Sequence, residues 1–226
     1  CLPLDHPSVR IMWTALSEAS LVCFIHPHYG VGGELIQDYQ FGHVLPLALG
    51  FPFETTTAIA RLVLSGTTSP LGNALGIFDL LPDLKLLLAH SGGTLPFLAG
   101  RLDSCVSHDP ALAGKLAQKP SEYLKKLYFD AVCYSPEALK CLLAFTTTDR
   151  VLFGTSYRAE SSLTLPAGTD NPFFPPLGTS QDTLHAKAWK SVVDNKAAIK
   201  QVCDASTQKL IFSGNAERIF SLAEFL

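Results

Sequence analysis

Two short apolar runs each end in a histidine. Leu21-Val-Cys-Phe-Ile25 leads into His26, and Leu84-Lys-Leu-Leu-Leu-Ala89 leads into His90. A neutral imidazole at the C-terminal end of a strand suits a divalent metal. A lone histidine is more often simply packed or solvated, so the surroundings must decide. His26 opens His26-Pro-His-Tyr-Gly30, where His28 lies in the loop and reads as a group that orients a ligand rather than one that binds metal. His90 opens His90-Ser-Gly-Gly93, and the paired glycines let the backbone turn tightly and approach a ligand. An apolar strand running straight into that tetrad is hard to explain as structure alone. Further along the same unit, Arg101 carries a guanidinium, which binds carboxylates bidentately.

A metal site of this kind also wants a carboxylate. Directly after the apolar run Arg150-Val-Leu-Phe153 come Gly154-Thr-Ser-Tyr157, with no acid. A second Gly-Thr, at Gly168-Thr169, is followed by Asp170-Asn-Pro-Phe-Phe-Pro-Pro176. Removing the inserted segment 156–169 would join Phe153-Gly-Thr directly to Asp170, and a retained intron is one origin for such a block. Taken alone, Asp-Asn-Pro is also common turn chemistry.

Alternating strand and helix patterns must position these groups. Strands are expected at 21–25, 84–89, 127–132 and 150–153, short and apolar as in a parallel sheet buried on both faces. Helices are expected at 54–64, ending at Ser65-Gly66, at about 94–106, and after Ser135-Pro136-Glu137, with serine at the N-cap and proline at N1. Further helical patterns run near 183–194 and 216–222, and residues 3–21 read as a helix leading into the first strand. Four βα units in series imply a parallel sheet with right-handed crossovers. Polar groups at or just after the strand ends (His26, His90, Asp130 and a later acid) are where barrel enzymes place their sites. The expectation is therefore an α/β protein, a single domain over 1–226 forming the C-terminal half of a (β/α)8 TIM-type barrel, with the N-terminal strands missing. The chain starts at Cys1 and its only methionine is Met12, so its natural beginning is expected upstream.

Bulk properties exclude several classes. The 226 residues are 47% hydrophobic and 16% charged, too apolar for disorder. A formal charge of −3 gives no footprint for nucleic acid and no polybasic membrane patch. No continuous apolar run approaches the roughly 20 residues of a spanning helix, so no membrane association is expected. Six separated cysteines without a CxxC read as reduced thiols of a cytoplasmic protein.

At these motifs the sequence resembles the amidohydrolase-related decarboxylases, the family of aminocarboxymuconate-semialdehyde decarboxylase. That family's landmarks are HxH on the first strand, His-Pro on the fifth, His-Gly/Ser-Gly-Gly on the sixth and Gly-Thr/Ser-Asp on the eighth. The counterparts here are His26-Pro27, His90-Ser-Gly-Gly93 and Gly168-Thr-Asp170. The resemblance extends from about His26 to Leu222 and is greatest to the branch containing uracil-5-carboxylate (isoorotate) decarboxylase. It is carried by His26–Gly30, Gly42–Pro52, Ala89–Arg101 and Asp170–Pro176. It implies a metal-dependent barrel of the hydrolase superfamily with zinc as cofactor, held by His26 and Asp170. Asp170 would also donate a proton and His90 would stand beside the metal. Arg101 would contact substrate, in some members from the neighbouring subunit of a homodimer, and Phe173 would pack near the substrate ring. The implied reaction is non-oxidative decarboxylation (a carboxy-lyase) of an aromatic or heteroaromatic acid, uracil-5-carboxylate or the 6-methylsalicylate type. The alternatives are a metal-dependent hydrolase of the same superfamily and an inactive truncated or mis-spliced barrel. The first-strand HxH is absent, so the expected metal site is incomplete in this chain.

Overall fold

The computed structural model describes residues 2–28, 36, 41–65, 76–154 and 190–221. A 3-10 turn (Pro7–Val9) leads into helix α1 (Arg10–Glu18), which is shorter at both ends than the helix expected over residues 3–21. Trp13 on α1 is buried and its indole Nε1 donates to Leu4 O at 3.1 Å, fixing the helix to the segment before it. Strand β1 (Val22–Ile25) follows, then helix α2 (Phe51–Leu64), the short α3 (Ile77–Leu80) and strand β2 (Lys85–Leu88). Helix α4 (Leu95–His108), the short α5 (Pro120–Leu124) and strand β3 (Tyr128–Asp130) come next. Helix α6 (Pro136–Phe145) leads to strand β4 (Val151–Leu152), and α7 (Lys190–Val202), α8 (Ala205–Lys209) and α9 (Asn215–Ile219) complete the described chain.

The four strands form one parallel sheet in the order β1-β2-β3-β4. All four expected strands are present, each shortened at its ends. Side chains alternate between the two faces. Leu86, Leu88, Phe129 and Val151 join the main core against the helices with Trp13, Ile59 and Leu62. Leu87, Tyr128 and Leu152 point the other way and meet only a small cluster with Ile219. Burial on both faces holds for β2, β3 and β4 but fails for β1, where Phe24 remains 49% exposed. Phe24 pairs with Leu87 and so points to the thinly covered face, and β1 has a neighbour on one side alone among the described residues.

Helix ends follow local chemistry. Ser135 Oγ accepts from Ala138 N at 3.2 Å with Pro136 in the first turn, as expected. Helix α2 starts earlier than its apolar pattern suggests, because a π-helical turn (Pro46–Gly50) runs into it without a break. The combined helix Pro46–Leu64 has 19 residues and a mean hydropathy of 1.3, long and apolar enough to cross a membrane by those measures. It holds no continuous apolar run of that length, because Glu54, the threonines 55–57 and Arg61 interrupt it, while its remaining residues are apolar enough to keep the average at that value. Its Ile59, Leu62 and Val63 are buried in the core of the described fold. The pattern at 183–194 is matched from residue 190 by α7; residues 183–189 lie outside the described residues.

Candidate active site

His26 immediately follows β1, and its Nδ1 lies 2.6 Å from Pro27 O. A carbonyl oxygen only accepts, so this contact puts a proton on Nδ1 and makes Nε2 the acceptor nitrogen of the ring. The His-Pro-His turn is anchored from the first turn of α2, where the Glu54 carboxylate accepts from His28 N at 3.2 and 3.3 Å. The neighbouring strand brings up His90, with the two imidazole centroids 5.3 Å apart. Phe51 completes a triangle, 6.3 Å from the His26 ring and 6.2 Å from the His90 ring.

The turn that presents His90 is strained. His90, Ser91, Gly92 and Gly93 have successive φ values of +53°, +54°, +75° and +64°. Two of these residues carry a Cβ, which makes left-handed backbone unfavourable. Asp130, at the end of β3 and almost wholly buried, holds the turn in place. Its carboxylate accepts from His90 N at 3.0 Å, Ser91 N at 2.7 Å and Val132 N at 3.1 Å. In return Ser91 Oγ donates to the Asp130 carbonyl at 3.0 Å. The glycines are there for space as well as conformation. A Cβ on Gly92 would stand 2.7 Å from the Phe129 ring, and one on Gly93 would stand 2.2 Å from Pro52 O. Gly154, just past β4, packs so closely on Asp130 that a Cβ there would lie 2.9 Å from the Asp130 Cβ.

A cavity of about 760 Å³ adjoins this cluster. His90, Ser91 and Phe51 form one side, and Cys133 and Tyr134 from the β3–α6 loop form another. His26 does not line it, but its ring packs against those of His90 and Phe51, which do. Burial pushes the Cys133 thiol up to about 11, so it stands in the wall as a neutral thiol rather than a nucleophile. The loop is held from α7, where the fully buried Asn195 accepts through Oδ1 from Cys133 N at 3.1 Å and Tyr134 N at 2.7 Å.

Of the expected site residues, His26 and His90 are brought together. Arg101 is exposed on α4 and lines a separate cavity of about 200 Å³ with Thr56, Leu98 and Leu102. Asp170, Phe173 and the segment 156–169 lie outside the described residues. Among the described residues no group of three or more His, Cys, Asp or Glu side chains could hold a metal ion. The carboxylate grip of Asp130 and the roles of Glu54, Tyr134 and Asn195 were not assigned from sequence. Only Asp130 left a signal there, as an acid closing an apolar strand.

Residues 2–222 match the family model described as Amidohydrolase. The 2-amino-3-carboxymuconate-6-semialdehyde decarboxylase of Dictyostelium discoideum is 32% identical over 155 residues, covering 68% of this chain and 39% of that protein. The 6-methylsalicylic acid decarboxylase of Penicillium expansum is 33% identical over 156 residues, covering 68% of this chain and 44% of that protein. Among solved structures, the apo form of Metarhizium anisopliae IDCase superposes with a TM-score of 0.79 at 38% identity. That match covers 97% of this chain and 53% of the IDCase chain, so this chain spans about half the length of its relatives or less.

Proposed function

Because the chain belongs to the amidohydrolase family, we propose that its four-stranded sheet is the C-terminal half of an eight-stranded barrel, one that removes CO₂ from a ring carboxylate without oxidation. The observation that carries the reading is the pairing of His26 and His90 at adjacent strand ends, 5.3 Å apart. The half-barrel is supported by the sheet itself. Its order is sequential and parallel, one edge exposes Phe24, and among the described residues one face buries just the small cluster of Leu87, Tyr128, Leu152 and Ile219, with Val22 and Ala216 packed against it. Closing the sheet with further strands would cover the edge and that face together.

The cofactor of this reading is a divalent metal, with zinc as our choice. The donor set fits in part: with its proton on Nδ1 the His26 ring has Nε2 as its acceptor nitrogen, and an imidazole is a good zinc ligand. His26 and Asp170 would hold the ion, together with ligands from the strands of the other half. When bound, the metal supplies a positive charge that orients the substrate carboxylate and an adjacent ring oxygen. The residues of the chain do the rest. Loss of CO₂ from an sp² ring carbon leaves charge poorly stabilised in the ring plane, and protonating that carbon first avoids the bare anion. Asp170 would deliver that proton and His90 would bind beside it. Phe173 would pack on the ring, and Arg101, exposed on α4, would reach the site of a partner subunit in a homodimer. We name uracil-5-carboxylate as the first substrate and a 6-methylsalicylate-type acid as the second, in a cytoplasmic protein; the five described cysteines are all free thiols, which supports that compartment.

The test is the zinc-loaded protein carrying both halves of the barrel, incubated separately with uracil-5-carboxylate and with 6-methylsalicylate, following CO₂ and the decarboxylated ring together. Equal yields of both support the reading. A ring-opened product formed with consumption of water would establish the hydrolase reading instead, and no turnover of either acid would refute both. His26→Ala should in addition lower the zinc retained after dialysis.

A further inference from the structure

We propose that Tyr134 contacts the ligand and sets its specificity, and that Asn195 is the positioning residue that holds Tyr134 in the cavity wall. The inference rests on reading the cavity as the site of a planar ring acid. Tyr134 has φ +61°, a left-handed conformation that a bulky side chain rarely adopts. Such conformations persist where their surroundings hold them. Here the hold is specific: two successive backbone N–H groups, of Cys133 and Tyr134, converge on the one Oδ1 of Asn195. Asn195 is 0% exposed, and an amide can be buried there without the cost of burying a charge. On the far side of the loop, Ser135 N donates to Cys133 O at 2.8 Å, and Ser135 itself caps α6. The loop is thus clamped between two helices.

The clamp does not serve to bury the tyrosine. Tyr134 remains 55% exposed while lining the same cavity as His90 and Phe51. A structural tyrosine hides its ring in the core, as Tyr123 does at 1% exposure. An aromatic ring held at a cavity wall offers a flat face to a planar ligand. Cys133 beside it is a neutral thiol, so this wall adds no charge of its own.

The experiment compares wild type, Tyr134→Ala, Tyr134→Phe, Asn195→Ala, Asn195→Asp and the Asn195→Ala/Tyr134→Ala double variant. The readouts are kcat and KM for uracil-5-carboxylate, its Kd by calorimetry, and amide hydrogen exchange at Cys133 and Tyr134. Tyr134→Ala should raise KM about tenfold with kcat little changed, the loss of one aromatic contact. Tyr134→Phe keeps the aromatic face, so its KM should stay near the wild-type value. Asn195→Ala should lose protection at both amides and raise KM toward the Tyr134→Ala value. Asn195→Asp keeps the acceptor oxygen and should restore both, while its buried carboxylate lowers the melting temperature. The double variant should have a KM no higher than Tyr134→Ala alone, because both changes remove the same contact. A purely structural Asn195 would lower the melting temperature and leave KM and Kd unchanged, overturning its assigned role. Unchanged KM and Kd in Tyr134→Ala would overturn the assignment of Tyr134. Should Asn195→Ala fail to fold, Tyr134→Ala and Asn195→Asp still decide. Wild type that binds the acid without releasing CO₂ refutes the decarboxylase reading only, and Kd then replaces KM throughout. Wild type that neither binds nor turns over the acid refutes both.

Discussion

Replacing Gly93 by alanine tests whether the histidine turn depends on close backbone approach. Gly93 has φ +64° and ψ −121°, a combination that costs a residue with a Cβ about 1–3 kcal/mol. The new Cβ would also stand 2.2 Å from Pro52 O and 2.6 Å from Thr56 Oγ1. Neither neighbour is a flexible tip. Thr56 Oγ1 donates to Pro52 O at 2.7 Å and accepts from Thr94 N at 2.9 Å, tying the start of α2 to the start of α4. Relieving the contact means moving α2 away from the turn by about 1 Å, and overpacking of this kind costs about 1–3 kcal/mol. The expected loss of stability is therefore about 2–6 kcal/mol. Because α2 also carries Phe51 against both imidazoles, a shift of that size should lower turnover on the order of 10²-fold. Urea unfolding followed by circular dichroism measures the first quantity and CO₂ release the second. Gly100→Ala is the control: it lies within α4 with nothing inside 4 Å of its Cβ, and should gain about 0.5–1 kcal/mol. A Gly93→Ala loss below about 1 kcal/mol would show that the turn yields easily and that this reasoning is wrong.

Asp130→Ala should cost about 3–5 kcal/mol, since three buried N–H groups lose their acceptor, while Asp130→Asn keeps one acceptor oxygen and should cost less. Equal losses in chemical denaturation would contradict the assigned hydrogen bonds. Alkylation of Cys133 by iodoacetamide, read by mass spectrometry, should reach half its limiting rate near pH 11, where burial has pushed its thiol; a midpoint at or below the ordinary 9.0 would mean the wall is open to water. Burial, then the hydrogen bond and the negative charge of Asp79, push the Tyr123 phenol from 10.0 up to about 12. The folded state therefore keeps the proton longer, so this stabilisation is full below pH 10 and is lost as pH rises to about 12. The stability difference between wild type and Tyr123→Phe should shrink across that window, and a constant difference would refute the shift.

The strands were legible because each is a short apolar run ending in a polar residue, and the serine cap at Ser135 was legible because its chemistry is local. The helix from Pro46 was not, since a π turn and scattered polar residues hide its continuity. At the site, His26 and His90 stood out because each closes an apolar run. Asp130 does the same, but its task is to accept from backbone N–H groups of another strand end, which no spacing along the chain encodes. Asn195 acts on residues 133 and 134 from a helix far along the sequence, and only the fold brings them together. Arg101 was legible as a charged residue, while its distance from the histidine cavity is a property of the α4 surface.

The sequential order of the sheet also bears on how the protein folds. Val22 pairs with Lys85, Leu87 with Tyr128, and Phe129 with Val151, so each successive pairing closes a shorter stretch of chain. Shorter closures cost less conformational entropy, and the difference grows only logarithmically with length. The β3–β4 pair is therefore the easiest nucleus, with β2 and then β1 adding to it from one side. Synthesis delivers the strands in the opposite order. Of these four strands β1 is made first and waits longest for β2, and until then that side of its apolar run stays unpaired and open to misassociation.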